Sequence, residues 1–153
     1  MKKKTVSTAA AAPGARRCPL CRSTGGTVIW RDKFCRVVIV RDRDYAGYCR
    51  VIWNSHVKEM THLQNAQRAH CMCIVFAVEQ AVREVLVPDK INLASFGNMA
   101  PHLHWHIIPR YAQDPHFPNP VWGRRTRTGN TKAATPAPAN WRSALKRALA
   151  QIL

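Results

Sequence analysis

The most constraining feature of the sequence is a run in which histidines alternate with apolar residues, HLHWHII at residues 102–108. Successive side chains of a β-strand point to opposite faces, so a strand here places His102, His104 and His106 on one face. The apolar face can pack under a helix. The imidazole face must meet water, substrate or metal, because burying three polar rings without partners is costly. The run therefore predicts a strand with one chemically active face.

The flanking sequence predicts an α+β fold in which an antiparallel sheet is covered by one long helix. Runs rich in β-branched and aromatic residues predict further strands at 27–30, 34–40, 48–53 and 91–96. A helix is predicted between them, from the capping-box pair Thr61 and Gln64 to Pro88. The order ββ-β-α-ββ lacks the regular strand–helix alternation of a parallel sheet.

Positive charge is concentrated at the two ends of the chain. The net charge is +16, of which residues 1–17 and 124–153 contribute +12 without a single acid. We therefore expect a disordered basic arm at 1–17, a domain at 18–123, and a flexible linker with a short C-terminal helix at 124–153. Such tails attract polyanions non-specifically. No apolar run approaches the length of a membrane span, which argues against a membrane protein.

The six cysteines do not form the pattern of a secreted disulfide framework. Cys35, Cys49, Cys71 and Cys73 fall in predicted strands and in the predicted helix, where buried free thiols are expected. This usage indicates a reducing compartment and a cytoplasmic protein, although the basic start of the chain also fits an organelle transit sequence. The remaining pair forms a CPLC knuckle at residues 18–21, a zinc motif that lacks a second cysteine pair.

Two kinds of chemistry suit three imidazoles on one strand face. A His-x-His strand can present nitrogens to a metal ion. Alternatively, a neutral imidazole can attack phosphorus and form a phosphoramidate that water later opens. Closely spaced imidazoles disfavour one another's protonation, which keeps an attacking ring neutral.

The run at 102–108 matches the H-φ-H-φ-H-φ-φ signature of the histidine-triad (HIT) family, where φ is apolar. The chain resembles this family over about residues 18–123. The resemblance extends to 34–40 followed by Asp42, and to the VIWNSH segment that ends at His56. It implies a five-stranded antiparallel sheet, a two-fold homodimer, and hydrolysis or transfer of nucleotidyl groups at the α-phosphate.

The resemblance also implies a role for each histidine. His104, the middle one, would be the nucleophile that forms a nucleotidyl-histidine intermediate. His106 would hold phosphate oxygens and assist the leaving group, and His102 would orient its neighbours or bind metal. Family members with glutamine at the third position are transferases, so His106 favours hydrolysis here.

Polar residues outside the triad are expected to bind substrate. By resemblance, Asn98 and Asn92 would hydrogen-bond phosphate or ribose, and Asp42 would take the ribose hydroxyls, with Asp44 as the competing choice. Many relatives have Gln-Ser where this chain has Asn98-Met99, which leaves the leaving-group preference open. The expected substrate is a dinucleoside polyphosphate or a nucleoside phosphoramidate.

Some relatives close a zinc site with a cysteine pair and two histidines, and the matching residues are Cys18, Cys21, His56 and His102. A closed Cys₂His₂ site would be structural, and no organic cofactor is expected. The alternative is a surface cysteine pair beside a solvated His56. Two other functions stay open: a zinc-dependent hydrolase that uses the histidine strand as metal ligands, and a non-catalytic nucleotide-binding module with basic tails.

Overall fold

The computed structural model describes residues 14–128 and 136–152, so most of the predicted basic arm and residues 129–135 of the predicted linker lie outside it. Residues Ala15–Arg17 of the arm form a 3₁₀ turn. Five strands and three α-helices follow: α1 Pro19–Arg22, β1 Thr27–Arg31, β2 Cys35–Ile39, β3 Cys49–Trp53, α2 Asn65–Leu86, β4 Lys90–Ala94, β5 His104–Arg110 and α3 Pro138–Ile152.

The strands form one antiparallel sheet in the order β1-β2-β3-β5-β4, which confirms the expected α+β, five-stranded architecture. Strand β5 begins at His104, so His102 precedes the strand rather than opening it as expected. Across β3 and β5, Ile52 pairs with His104 and Arg50 pairs with His106. The two central strands therefore set the histidines beside the side chains of β3 on one shared face.

Helix α2 covers the opposite face of the sheet and forms the main core with it. The helix residues Cys71, Val75, Val78 and Val82 are buried, as their spacing predicts. The capping box is formed by Gln64 and its partner three residues later, Gln67, and not by Thr61 and Gln64. The predicted start was early because Thr61 belongs to a separate 3₁₀ turn, Met60–His62.

Helix α3 packs against α2 and completes the same core. Trp141, Leu145 and Leu149 are buried there, on the face that the sequence predicts. The C-terminal helix is therefore part of the globular domain and not an appendage beyond residue 123. Within the described residues, no helix combines the length and the apolar character needed to cross a lipid bilayer.

Candidate active site and metal centre

A cavity of about 710 Å³ lies on the sheet face opposite α2. Strands β3 and β5 form its floor, which includes Arg50, His104 and His106. The N-terminal knuckle forms one wall, and the loop after β4 together with Trp122 forms the other. The structure thus brings two of the three histidines to a solvent-connected cavity.

His104 is held in one tautomer by the backbone. Its Nδ1 lies 2.6 Å from the carbonyl oxygen of His102, so Nδ1–H donates and the Nε2 lone pair remains free. The ring is only 6% exposed, and burial, with a contribution from the Arg50 cation, lowers the pKa of His104. A neutral imidazole with a fixed lone pair is the form that a nucleophile requires.

His106 lies next to His104, with 4.7 Å between the ring centroids. Its Nδ1 is hydrogen-bonded to the Tyr48 hydroxyl, and Arg50 Nε donates to the same hydroxyl oxygen at 2.9 Å. Burial first, and then His104 and Arg50, lower the pKa of His106 to about 3. Within the described residues, its buried Nε2 has no hydrogen-bond partner.

Tyr48 and Arg50 were not predicted as site residues. The signal was present in the YCRVIW strand, where an arginine interrupts an apolar run at the period that faces the histidines. What the sequence lacked was the register of β3 against β5, which sets Arg50 opposite His106.

The third histidine takes part in a separate cluster, and the structure assembles all four residues that resemblance implied for it. Ligand atoms of Cys18, Cys21, His56 and His102 lie within 4.8 Å of one another. His102 Nδ1 is 3.5 Å from Cys18 Sγ, 3.4 Å from Cys21 Sγ and 3.3 Å from His56 Nδ1. A tetrahedral zinc with ordinary bond lengths has ligand–ligand separations of about 3.3 to 3.8 Å. The donor set and its spacing therefore fit a zinc ion.

His102 links this cluster to the active face. Its Nε2–H donates to the Trp53 carbonyl at 2.6 Å, which leaves Nδ1 as the ligand atom. Its own carbonyl accepts the hydrogen bond from His104. One residue thus contributes to the metal cluster through its side chain and orients the neighbouring histidine through its backbone.

A buried arginine of β2 fastens the knuckle to the sheet. Arg36 is 5% exposed, and its guanidinium donates to the carbonyls of Leu20 at 2.6 Å and Thr24 at 3.0 Å. Gly25 has a φ of 81°, and a Cβ there would lie 2.7 Å from Ile52 Cδ1. The close approach of knuckle and sheet therefore depends on a glycine in the left-handed region.

The two carboxylates that competed for the ribose role occupy different places. Asp42 lines the cavity, and its Oδ1 accepts from the backbone N–H groups of Asp44 and Tyr45 at 2.8 and 3.0 Å. This turn points the remaining carboxylate oxygen away from its own backbone bonds. Asp44 is instead paired with Arg125 at 2.9 Å.

The two asparagines also separate. Asn98 lines the cavity with the histidines, whereas Asn92 lines a second cavity of about 410 Å³. Asn92 Oδ1 accepts from Arg110 at 2.7 Å, and Arg110 forms a buried two-point ion pair with Asp114. Asn92 is held away from the histidines because Arg110, two positions beyond Ile108 on β5, takes its amide oxygen.

Exposed apolar side chains surround the cavity mouth on the β4 side. Phe96, Met99 and Trp122 are 44%, 99% and 63% exposed. Phe96 contacts the His106 ring edge-on, with centroids 5.1 Å apart, and contacts Trp122 in the same manner at 4.6 Å. The expected place of Trp122 near the cavity entrance is confirmed.

Comparison with known proteins agrees with this geometry. The HIT domain family model matches residues 23–113, more than half of the chain, and the chain therefore belongs to the HIT domain family. A histidine triad protein from Bradyrhizobium japonicum is 29% identical, with a TM-score of 0.65 over 82% of this chain and 92% of its own. One from Marinobacter aquaeolei VT8 is 27% identical, with a TM-score of 0.64 over 85% and 93%.

Two further relatives carry informative names. A protein of Mycobacterium tuberculosis called AP-4-A phosphorylase is 24% identical over 131 residues, which cover 82% of this chain and 67% of the relative. The structure of a Zn-bound histidine triad family protein from Mycobacterium smegmatis is 21% identical and shares the fold, with a TM-score of 0.57 over 90% of this chain and 96% of its own.

Proposed function

We propose that this protein is a nucleotidyl hydrolase that acts at the α-phosphate of a nucleotide through a covalent intermediate on His104. The observation that carries the proposal is the hydrogen bond from His104 Nδ1–H to the His102 carbonyl, which leaves a lone pair on Nε2 in a substrate-sized cavity. The family membership supports the same reading.

The reaction would proceed in two displacements. In the first, His104 Nε2 forms a bond to phosphorus while the bond from phosphorus to the leaving group breaks. In the second, a water oxygen attacks phosphorus and the Nε2–P bond breaks, which releases the nucleoside monophosphate. The water's proton is lost to solvent or to the departing imidazole. His106, next to His104, would hold the phosphoryl oxygens during both steps.

The rest of the cavity supplies contacts for a nucleotide. Asp42 would accept hydrogen bonds from the ribose hydroxyls, and Asn98 would donate to a phosphate oxygen. Asn92 would act only indirectly, through the Arg110–Asp114 pair. The substrate would be a dinucleoside polyphosphate or a nucleoside phosphoramidate, and the name of the Mycobacterium tuberculosis relative favours the polyphosphate.

The metal cluster would bind a structural zinc ion. Cys18, Cys21, His56 and His102 supply four ligands, which fill a tetrahedral shell and leave no position for substrate. Zinc bound there would cross-link the knuckle to the active strand. The hydrolase alternative with catalytic metal is less well supported, because His102 Nδ1 points to the cysteines and not to His104 and His106.

The decisive experiment is detection of the intermediate. Protein is mixed with diadenosine tetraphosphate or adenosine 5′-phosphoramidate, quenched rapidly and analysed by mass spectrometry of its peptides. We expect an AMP adduct on His104, enriched in the slowed His106→Gln variant and missing from His104→Ala. Turnover without any adduct in either protein would refute covalent catalysis. Nucleotide binding without turnover would instead favour the non-catalytic module.

Phosphorolysis is the second candidate, because the Mycobacterium tuberculosis relative is called a phosphorylase. Inorganic phosphate would then replace water in the second displacement, and the product would be ADP in place of AMP. Product analysis with and without phosphate separates the two functions. We expect AMP as the main product in both conditions.

A further inference from the structure

A chain of hydrogen bonds runs from β3 to the third histidine. Arg50 Nε donates to the Tyr48 hydroxyl oxygen at 2.9 Å, and the same hydroxyl is bonded to His106 Nδ1. The Tyr48 and His106 rings are stacked, with centroids 5.7 Å apart and planes at 17°. The tyrosine thus fixes both the ring plane and one ring nitrogen of the histidine.

The direction of each hydrogen bond in this chain follows from its first member. An arginine Nε–H can only donate, so the Tyr48 oxygen is an acceptor toward Arg50. Burial raises the pKa of Tyr48, so the phenol keeps its proton and has one hydrogen to give. That proton goes to His106 Nδ1, because no other partner of the Tyr48 hydroxyl is found within the described residues. Neutral His106 must then carry its own proton on Nε2.

This assignment makes His106 the opposite of His104. His104 has its proton on Nδ1, committed to the His102 carbonyl, and a lone pair on Nε2. His106 has a lone pair on Nδ1, committed to Tyr48, and an N–H at Nε2. That Nε2 is buried and without a partner among the described residues, although His106 lines the cavity. An unpartnered buried donor beside a nucleophile is placed to receive an anionic oxygen.

We propose that Tyr48, held by Arg50, is a positioning residue that fixes His106 as the Nε2–H tautomer, so that His106 donates to a phosphoryl oxygen while His104 supplies the attacking lone pair. The inference rests on the proposed function for its catalytic meaning, but the tautomer itself does not. No residue of β3 had a part in the chemistry expected from the sequence. The two rings would thus enter the reaction with complementary ring nitrogens, one donor and one acceptor.

The tautomer can be measured without substrate. In full-length, zinc-replete protein labelled with ¹⁵N-histidine, two-dimensional spectra of the imidazoles distinguish Nε2–H from Nδ1–H rings. We expect His106 as Nε2–H with a hydrogen-bonded Nδ1 in the wild type, and a shift toward a mixture with Nδ1–H in Tyr48→Phe. Tyr45→Phe is the matched control, since it removes an equally buried phenol from the same cavity, one that is bonded to His116. It should leave the His106 nitrogens unchanged.

Kinetics gives the second readout. Tyr48→Phe keeps the ring that stacks on His106, so the fold should persist. We expect kcat to fall about 10- to 100-fold, because a lost transition-state donor lowers kcat more than it raises KM. An Nδ1–H ring in the wild type, or an unchanged His106 spectrum in Tyr48→Phe, would overturn the inference. A wild type that forms no His104 adduct would overturn the proposed function alone, because the tautomer measurement would still stand.

Discussion

At the scale of single residues, His104 and His106 have similar surroundings but different hydrogen-bond partners. Both rings are buried on the same strand face, and their pKa values are lowered mainly by burial. The backbone carbonyl of His102 fixes one ring and the Tyr48 hydroxyl fixes the other. The partner of each Nδ1, and not the identity of the residue, decides what each Nε2 can do.

Removal of the nucleophile should abolish turnover. We expect His104→Ala to lower kcat by at least about a thousandfold, because replacement of a covalent nucleophile generally costs that much. Steady-state rates on diadenosine tetraphosphate measure the effect. The control is His62→Ala, which changes an exposed histidine of the 3₁₀ turn and should leave kcat unchanged. Near-normal activity of His104→Ala would contradict the mechanism.

The lowered pKa of His106 predicts a pH dependence of stability. Its pKa is about 3 in the folded protein and about 6.5 in an unfolded chain. Between these values the unfolded chain binds a proton that the folded chain does not, so stability falls as pH falls, by at most about 1.4 kcal/mol per pH unit from this group. Urea unfolding from about pH 6.5 to 5 should show a shallower decline for His106→Gln. Equal slopes for both proteins would contradict the low pKa.

At the scale of elements, the N-terminal knuckle and strand β5 meet at one histidine. The knuckle is short, and its helix α1 has only four residues. It depends on Arg36, on the left-handed Gly25 and on the Cys–His cluster for its position. A metal ion there would replace the apolar contacts that so small an element cannot make.

We expect about one zinc ion per chain in protein purified without chelator, and its loss in Cys18→Ser. The thermal midpoint should fall by at least about 5 °C, because the free energy of metal binding contributes to folding. Cys73→Ser, which changes a half-buried thiol of α2 outside the cluster, is the matched control. Less than roughly 0.2 zinc per chain in the wild type, unchanged by Cys18→Ser, would end the zinc proposal; the factor of five lies well outside the error of elemental analysis.

The sequence predicted elements better than contacts between elements. The alternation around His104 and the helical spacing of Val75 and Val78 are local, so the strand, the helix and their buried faces could be derived from them. The capture of Asn92 by Arg110 and the Tyr48–His106 bond depend on strand register and side-chain reach. No local pattern encodes those quantities, which is why Asn92 was expected in the cavity and Tyr48 was not.

At the scale of the whole molecule, the C-terminal helix determines how much chain the domain needs. The chain's basic charge led to a predicted boundary at residue 123, yet Trp141 and Leu145 fill the core beside α2. Charge patterning describes the exposed face of α3, whereas its spacing of apolar residues describes where it packs.

Truncation of a buried α3 side chain should therefore destabilise the entire domain. We expect Leu145→Ala to lower the free energy of unfolding by about 2 to 5 kcal/mol, as for other fully buried leucines. Ser143→Ala, on the exposed face of the same helix, should change it by less than about 0.5 kcal/mol. A similar small effect of both variants in urea unfolding would show that α3 is not part of the cooperative unit.

The two-fold dimer stays a prediction. Strand β4 has β5 as its one strand neighbour within the described residues, so its other edge presents unpaired backbone groups. Light scattering should give about twice the chain mass of 17.3 kDa. A mass of one chain at micromolar concentrations would contradict it.

His102 uses its side chain and its backbone for two different purposes. Its imidazole reaches toward the two thiols, and its carbonyl aims His104. Anything that displaces His102, such as oxidation of Cys18 and Cys21 to a disulfide, must also move the acceptor that orients the attacking ring. The redox state of the chain's two N-terminal sulfurs and the readiness of its phosphorus-attacking group would therefore rise and fall together.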